Sequence, residues 1–437
     1  MQTQTAATGF TQEAFDAFLA ARHEPAWLVE LRRNAWNVMR QLPLPDRQQE
    51  EWRRTDIRGL HLERFGFPSP PAADIAIPKA LLSEGVELSG TALSMDSRPL
   101  ASSLDPELAA QGVLFGSLDD LVCTHGERIE HYLLTRAVDP YCDKFAALSA
   151  ACWSGGTFLY VPRGVVIPRP LHLLSAMSPN GVDLGHSLLV LEEGAEATVL
   201  AETAGSDPAG AGFHCGAVEI LVGPGARLRY VNLQNWGTGV WHFAHHKALV
   251  GRDASLQWTI GALGSRLAKV NQHVSLVGEG ARAQVNGVMF TDGKQHLSYH
   301  TLQHNAAPGG TSDLLYKGAL QGASHIVWRG MIHVDRDAQK TDGYQRNDNL
   351  NLSDIARADS IPGLEILADD VKCSHGATVG RVDDEQIFYA QTRGLTRKEA
   401  VRMIVAGFFQ QVFDRIAVGS VRQALGEAIG RRIREYE

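Results

Sequence analysis

A short turn recurs along the middle of this chain and constrains its fold more than any other sequence feature. In each copy a small residue follows Gly or Asp, and an extended segment resumes at once. The five copies are Glu193–Ala197, Pro224–Leu228, Arg252–Leu256, Glu279–Ala283 and Gln321–His325. The first four copies lie about 30 residues apart, which is typical of stacked repeats that each contact only their neighbours. The spacing therefore predicts a chain that winds through a series of similar coils.

From Thr157 onwards the chain has the pattern of β-strands separated by turns. Thr157–Val161 and His186–Leu191 are short apolar segments bounded by Gly-rich turns. Almost no helical pattern occurs between Thr157 and Tyr389. We therefore predict a mainly β protein whose core is a β-helix, or β-solenoid, with a stacked barrel-like sandwich as the alternative.

Helical patterns flank this core. Phe15, Phe18 and Leu19 recur at helical spacing within residues 11 to 66. Thr396–Glu399 is a capping box, in which a Thr hydroxyl and a Glu carboxylate satisfy free N–H groups at the start of a helix. The predicted domains are a mostly helical N-terminal domain (residues 1–150), the β-helix core (residues 151–393) and a helical C-terminal domain (residues 394–437).

The C-terminal helix carries an apolar stripe that is wide for a small helix to bury alone. Its residues recur at steps of three or four, and they are Val401, Ile404, Val405, Phe408, Phe409, Val412 and Phe413. Such a stripe either packs on the end of the solenoid or docks a partner protein.

Charge and composition exclude several classes of partner. The chain has 41 Lys and Arg against 49 Asp and Glu, a formal net charge of −8, and no long basic run. We therefore expect neither nucleic acid nor a membrane as a partner. Five cysteines without paired spacing favour reduced thiols in the cytoplasm over a disulfide framework.

The segment Asp369–Gly380 places a thiol and an imidazole two positions apart. Val371, Cys373 and His375 alternate, which indicates an extended strand with all three side chains on one face. A Cα spacing of about 6.5 to 7 Å is wide for a Cys–His nucleophilic pair but suits two ligands of one metal ion. Because two ligands do not complete a metal site, the others would come from another chain. The alternative is a buried structural cysteine beside a hydrogen-bonded histidine.

Two other polar groups could support chemistry. His296, His300 and His304 are spaced by four residues and so share one face. A metal site there competes with a solvated polar ladder, since no carboxylate or thiol joins them at ligand spacing. A group of carboxylates could form the paired acids of a solenoid polysaccharide hydrolase or lyase. This group comprises Asp335, Asp337, Asp342 and Asp348.

Longer motifs resemble the SufB/SufD family of iron-sulfur cluster assembly scaffolds. The matching segments are Glu51–Asp56, Asp143–Leu148, Trp153–Thr157, Asn349–Ser353, Pro362–Ile366, Asp370–Gly380, Phe388–Gly394 and Ala400–Phe409. The likeness covers nearly the whole chain, and Asp370–Gly380 is long enough to be specific. It points to the SufD branch, because Ala390 stands where SufB proteins have the cysteine of a Phe-Tyr-Cys motif.

The resemblance implies a right-handed parallel β-helix between helical domains, in a scaffold rather than an enzyme. It implies a SufB-like paralogue as heterodimer partner at the β-helix edge, and a SufC-like ABC-type ATPase docked on the C-terminal helix through Arg397 and the apolar stripe. It also implies that His375, with Cys373 beside it, offers ligands to a transient iron-sulfur cluster shared with the partner. The chain alone would hold no cluster stably. When isolated it could form a homodimer, and an architectural adaptor without metal ligands is a further alternative.

Overall fold

The computed structural model describes residues 9–69 and 75–433. Within these ranges the α-helices lie mainly at the two ends of the chain. They are α1 (Gln12–Ala20), α2 (Ala26–Gln41), α3 (Pro106–Ala110), α4 (Leu118–Glu130), α5 (Lys144–Cys152), α6 (Asp384–Thr392), α7 (Arg397–Phe413) and α8 (Gly419–Arg432). Short 3-10 helices occupy Glu50–Trp52 and Leu62–Arg64. None of the helices in the described ranges is long and apolar enough to cross a membrane.

The region between these helices is built from strands. The first ten are β1 (Gly90–Met95), β2 (Arg98–Leu104), β3 (Leu114–Ser117), β4 (Thr157–Val161), β5 (Leu171–Met177), β6 (Gly181–Asp183), β7 (His186–Leu191), β8 (Glu196–Gly205), β9 (Ala211–Val222) and β10 (Arg227–Asn235). The next ten are β11 (Gly239–Val250), β12 (Ser255–Ala262), β13 (Leu267–Leu276), β14 (Arg282–Thr291), β15 (His296–Asn305), β16 (Thr311–Leu320), β17 (His325–Val334), β18 (Asp342–Asn351), β19 (Arg357–Ile366) and β20 (Lys372–Arg381).

Successive strands from β7 to β20 alternate between two long sheets. Even-numbered strands from β8 to β20 pair in parallel in one sheet, and odd-numbered strands from β7 to β19 pair in parallel in the other. Residues one coil apart lie side by side, so that Arg282 is in register with Thr311, and Thr311 with Asp342. This alternation confirms the predicted parallel β-solenoid and rules out the sandwich.

The recurring turn forms one corner of the solenoid. Its second residue has a left-handed backbone, with φ between 55° and 69°, in Gly194, Gly225, Asp253 and Gly280. Glycine adopts this conformation without steric cost, and Asp is one of the few other residues that adopt it readily. The following residue is alanine in each of these four turns, and it is fully buried where the corner turns inward. The turn that recurs in the sequence is therefore this corner of the solenoid.

Backbone hydrogen bonds connect these corners into a ladder. The N–H of each left-handed residue donates to a carbonyl in the next coil, in the pairs Gly194 to Pro224, Gly225 to Arg252, Asp253 to Glu279 and Gly280 to Pro308. The ladder continues from Gly309 to Gln339 and from Lys340 to Asp370. The fifth copy belongs to another corner, where Gly322 stacks against Gly293. This explains why the fifth copy departs from the 30-residue period.

Hydrophobic packing fills the solenoid and fastens helices to it. The interior contains apolar side chains with large aromatic residues such as Trp258 and Trp328, both fully buried.

At the N-terminal side, the buried Arg32 of α2 pairs with Glu24 at 2.7 Å and donates to the carbonyls of Ala151 and Trp153. These contacts hold α2 against α5, since a buried guanidinium needs both a counter-charge and acceptors.

The two ends of the solenoid differ. At the N-terminal end β2 pairs antiparallel with β1, with an irregularity between Leu93 and Ser94, and β3 pairs antiparallel with β4. Strands β1, β2 and β3 therefore lie within the region predicted to be mostly helical. The domain boundaries at residues 150 and 393 stay predictions, and residues 1–8, 70–74 and 434–437 of those domains lie outside the described ranges.

The corner ladder generates a stability prediction. At Gly225 no atom lies within 4 Å of the position that a Cβ would occupy, so Gly225→Ala adds backbone strain without a clash. An alanine held in a left-handed conformation should lower the free energy of unfolding by about 1 to 2 kcal/mol. Gly407→Ala, also uncrowded but inside helix α7, should raise it by about 1 kcal/mol.

The measurement is the urea midpoint of each variant by tryptophan fluorescence. Midpoint shifts of the same sign in the two variants would contradict the proposed role of the corner.

Candidate functional site

The last coil of the solenoid has unpaired edges. Within the described residues, β19 pairs with β17 alone and β20 with β18 alone, so each is the final strand of its sheet. Each therefore exposes a row of backbone N–H and C=O groups along its outer side. Such an edge is a template on which another chain can add a strand.

The corner ladder sets the position of β20. The N–H of Lys340 donates to the carbonyl of Asp370 at 2.6 Å, and the N–H of Lys372 donates to that of Thr341 at 2.8 Å. The resulting register places Cys373 beside Gly343, and His375 beside Gln345. The extended conformation predicted for this segment is confirmed.

Cys373 lies partly inside the last coil. Its side chain is half-buried and packs against a small apolar cluster that includes Ile332 and Val334. Burial raises the pKa of the Cys373 thiol, and the negative charge of Asp342 acts in the same direction. The thiol therefore keeps its proton at neutral pH, and a metal ion that bound it would release that proton.

His375 is exposed at the open end. Its register partner Gln345 is fully buried, because the coil containing β20 covers Gln345. No further coil follows within the described residues, and His375 is left open to solvent. An imidazole at this position is available to a second polypeptide that covers the edge.

Cys373 and His375 do not complete a metal site with other residues of the described ranges. Groups of three metal-ligating side chains in those ranges are Cys142–Asp143–His245 and His304–His333–Asp335. Neither group contains Cys373 or His375. A metal ion bound at the open end would take its remaining ligands from elsewhere.

The three histidines share a strand, as their spacing predicted, but they do not group into one metal site within the described residues. His296, His300 and His304 all lie on β15, but His300 is buried, with Lys269 Nζ 2.7 Å from its Nε2. Burial and this neighbouring ammonium lower the pKa of His300 to about 2. His304 instead lies beside His333 of the next coil, in register on β17. Applying the coil period to the sequence would have found this neighbour.

The four carboxylates predicted as a hydrolase site are divided between different contacts. Asp335 contacts two histidines through separate oxygens. Asp348 is buried on β18 and pairs with Arg346 at 2.9 Å and Lys317 at 3.6 Å. A carboxylate held by two cations is not positioned as a free acid or base, so this geometry does not support the hydrolase alternative.

The Cys142–Asp143–His245 group was missed in the sequence because His245 lies more than 100 residues from the other two. Asp143 caps helix α5 by accepting the N–H groups of Phe145 and Ala146. It also lies 3.2 Å from His245 Nε2. Although burial opposes it, the Asp143 charge raises the pKa of His245 to about 10. This ion pair joins α5 to β11, which is a structural role.

The apolar stripe of the C-terminal helix packs mainly against other parts of this chain. Val401, Val405, Phe409, Val412 and Phe413 are buried in a core that α6, α7 and α8 form on the even-numbered sheet. The capping box at Thr396 and Glu399 is confirmed.

Docking a partner through those five side chains would require opening this core, so the structure does not support them as a docking face. Arg397, Ile404 and Phe408 are half-buried and keep partial access to solvent. Exposed apolar side chains on α6 and α7 belong instead to Phe388, Tyr389 and Met403.

Comparison with known proteins gives the family. Residues 174–408 match the family described as "SUF system FeS cluster assembly, SufBD core domain", and residues 12–173 match "SufBD protein N-terminal region". An "Iron-sulfur cluster assembly SufBD family protein" of Staphylococcus epidermidis is 28% identical over 413 residues, covering 92% of this chain and 88% of the relative. The "Iron-sulfur cluster assembly protein SufB" of Bacillus subtilis is 27% identical over 422 residues, with the same coverage. The chain belongs to the SufBD family of iron-sulfur cluster assembly proteins.

Proposed function

We propose that this chain is a SufD-type scaffold subunit of a cytoplasmic iron-sulfur cluster assembly complex. It pairs through β19 and β20 with a SufB-like paralogue and presents His375 at the seam, where a transient cluster forms. The observation that carries this proposal is an exposed imidazole on an unpaired terminal strand, in a chain of the SufBD family.

The open end has the composition of a protein interface as well as its backbone groups. Apolar side chains are exposed on the last coil and the turns beside it, and they include Ile355, Leu364, Ile366, Leu367 and Val379. Leaving such a cluster in water is costly, and a partner that extends both sheets would bury it. Backbone pairing would supply register, and the apolar contacts would supply affinity.

The SufD assignment rests on position 390. Ala390 is buried in helix α6, where the resemblance places a cysteine in SufB proteins. The thiol on which assembly depends would therefore come from the paralogue. His375 would complete that partner's ligand set, with Cys373 available after loss of its proton.

A SufC-like ATPase would dock on the outer side of α6 and α7. Because the apolar stripe is buried, the contact surface would consist of Phe388, Tyr389 and Met403, with the half-buried Ile404 and Phe408 at its margin. Arg397 pairs with Asp384 at 3.0 Å and joins α7 to the start of α6. Movement of the ATPase would then reach the seam through α6, which follows β20 directly.

The ligand role of His375 is testable by substitution in the assembled complex. His375→Ala, co-expressed with the SufB-like and SufC-like partners, should purify as an intact complex with at least about tenfold less iron and acid-labile sulfide, because a missing second-shell or direct ligand typically costs this much in metal affinity. The control is Ser374→Ala, on the opposite face of the same strand. Iron and sulfide at the unaltered level in the His375→Ala complex would leave only an architectural role.

The seam is testable with two valines of equal exposure. Val379 on β20 is 50% exposed, and Val277, in the turn after β13, is 49% exposed. Val379→Lys should weaken association with the SufB-like partner at least about tenfold, because an ammonium buried without a counter-charge costs several kcal/mol. Val277→Lys should leave association unchanged. Analytical ultracentrifugation measures both, and equal effects of the two substitutions would refute the seam.

A further inference from the structure

A second histidine–carboxylate group lies on the odd-numbered sheet. The coil register aligns His304 of β15, His333 of β17 and Glu365 of β19. Asp335 follows β17 directly and reaches back over the two histidines. The four side chains come from three successive coils and are all partly open to solvent.

The contacts in this group converge on Asp335. His304 Nε2 lies 3.1 Å from Asp335 Oδ2, and His333 Nε2 lies 2.9 Å from Asp335 Oδ1. The two imidazole rings stand edge to face, with their centroids 5.2 Å apart. One ligand atom from each of these three residues lies within 4.8 Å of the others. Two imidazole nitrogens and a carboxylate therefore face one small volume.

The other nitrogen of His333 gives an independent indication of a cation. His333 Nδ1 lies 3.2 Å from Glu365 Oε2, so both ring nitrogens face carboxylate oxygens. A neutral imidazole has only one N–H and can satisfy only one of these acceptors, so the two contacts together require a positive charge, which is either a second ring proton or a bound cation. A metal ion between His333 Nε2 and Asp335 would supply this charge, and the single ring proton would then reside on Nδ1 and be donated to Glu365.

We propose that His304, His333 and Asp335 bind a divalent first-row transition metal ion, with Glu365 as a positioning residue that orients His333. Two histidines and one carboxylate with open coordination positions are the ligand set that suits Fe²⁺ and related ions. A carboxylate on the outer nitrogen of a ligating histidine is the usual outer contact in such sites. With neutral histidines the four side chains carry two negative charges, which a divalent ion balances. This site is separate from His375 and does not rest on the proposed scaffold function.

The neighbouring residues of the same strands form a matched control. His296 of β15 and His325 of β17 also stack edge to face, and His325 Nε2 lies 2.8 Å from Asp359 Oδ2. Here Arg357 donates two hydrogen bonds to Asp359 at 3.1 Å, and His296 Nε2 faces the hydroxyl of Thr55. The Arg357 guanidinium already balances the Asp359 carboxylate, so this control group lacks the net negative charge that would hold a cation.

The test is a Co²⁺ titration of the full chain, followed by visible absorption and calorimetry without oxygen. Cys123→Ser, Cys142→Ser and Cys373→Ser are introduced throughout so that accessible thiols do not bind the metal ion. We expect one equivalent of Co²⁺ to bind and to be displaced by Zn²⁺, or by an excess of Fe²⁺, but not by Mg²⁺. His333→Ala and Asp335→Asn should each weaken binding at least about tenfold, and Glu365→Gln by about 10- to 100-fold with the metal-to-protein ratio unchanged.

The control substitutions His296→Ala and Asp359→Asn should leave the affinity for Co²⁺ unchanged. If His333→Ala proves unstable, His333→Gln keeps the size of the side chain and should show the same loss. The proposal is overturned if the chain binds no Co²⁺, if binding survives loss of His333, or if the control substitutions weaken binding as much as the ligand substitutions.

Discussion

The architecture depends on a left-handed residue that recurs at one corner of every coil in its central part. Each such residue turns the chain and donates its N–H to the coil that follows, so the height of one coil fixes the height of the next. The parallel registers of both sheets follow from this spacing. The last hydrogen bond of the series, from Lys340 to Asp370, positions β20, which carries Cys373 and His375, at the edge of its sheet. Local backbone chemistry thus positions these two side chains about 180 residues beyond the first of these corners.

The sequence predicted the solenoid because its corner residues are chemically restricted. In the four regularly spaced copies of the turn the left-handed position holds Gly three times and Asp once, so the repeat is visible even where the strands themselves vary. Other local patterns located β20, by the alternation of its residues, and the capping box of α7. The corner pattern also assigned one copy of the turn to the wrong corner, since Gly322 has the same local chemistry as Gly280 but stacks on Gly293.

Side-chain contacts between coils could be predicted from the sequence only by applying the period of the coils to the side chains. Sequence spacing groups His304 with histidines of its own strand, yet its partners are His333 and Asp335, one coil later. The C-terminal helix shows a different difficulty. A helical pattern reveals an apolar face but not what covers it, and Val405 and Phe409 are covered by the chain's own sheet and neighbouring helices. Burial is a property of the whole fold and cannot be read from periodicity alone.

The solenoid has one end whose strands can pair with another chain and one end that is protected from such pairing. At the protected end β2 is short, runs antiparallel to β1 beside a backbone irregularity, and includes Pro99, which has no N–H to donate. A solenoid with two receptive ends could add subunits without limit and grow into a fibre. With one receptive end, association closes as soon as two subunits meet. If the open end binds a partner as proposed, the ends of the coil stack therefore limit the product to a pair of subunits.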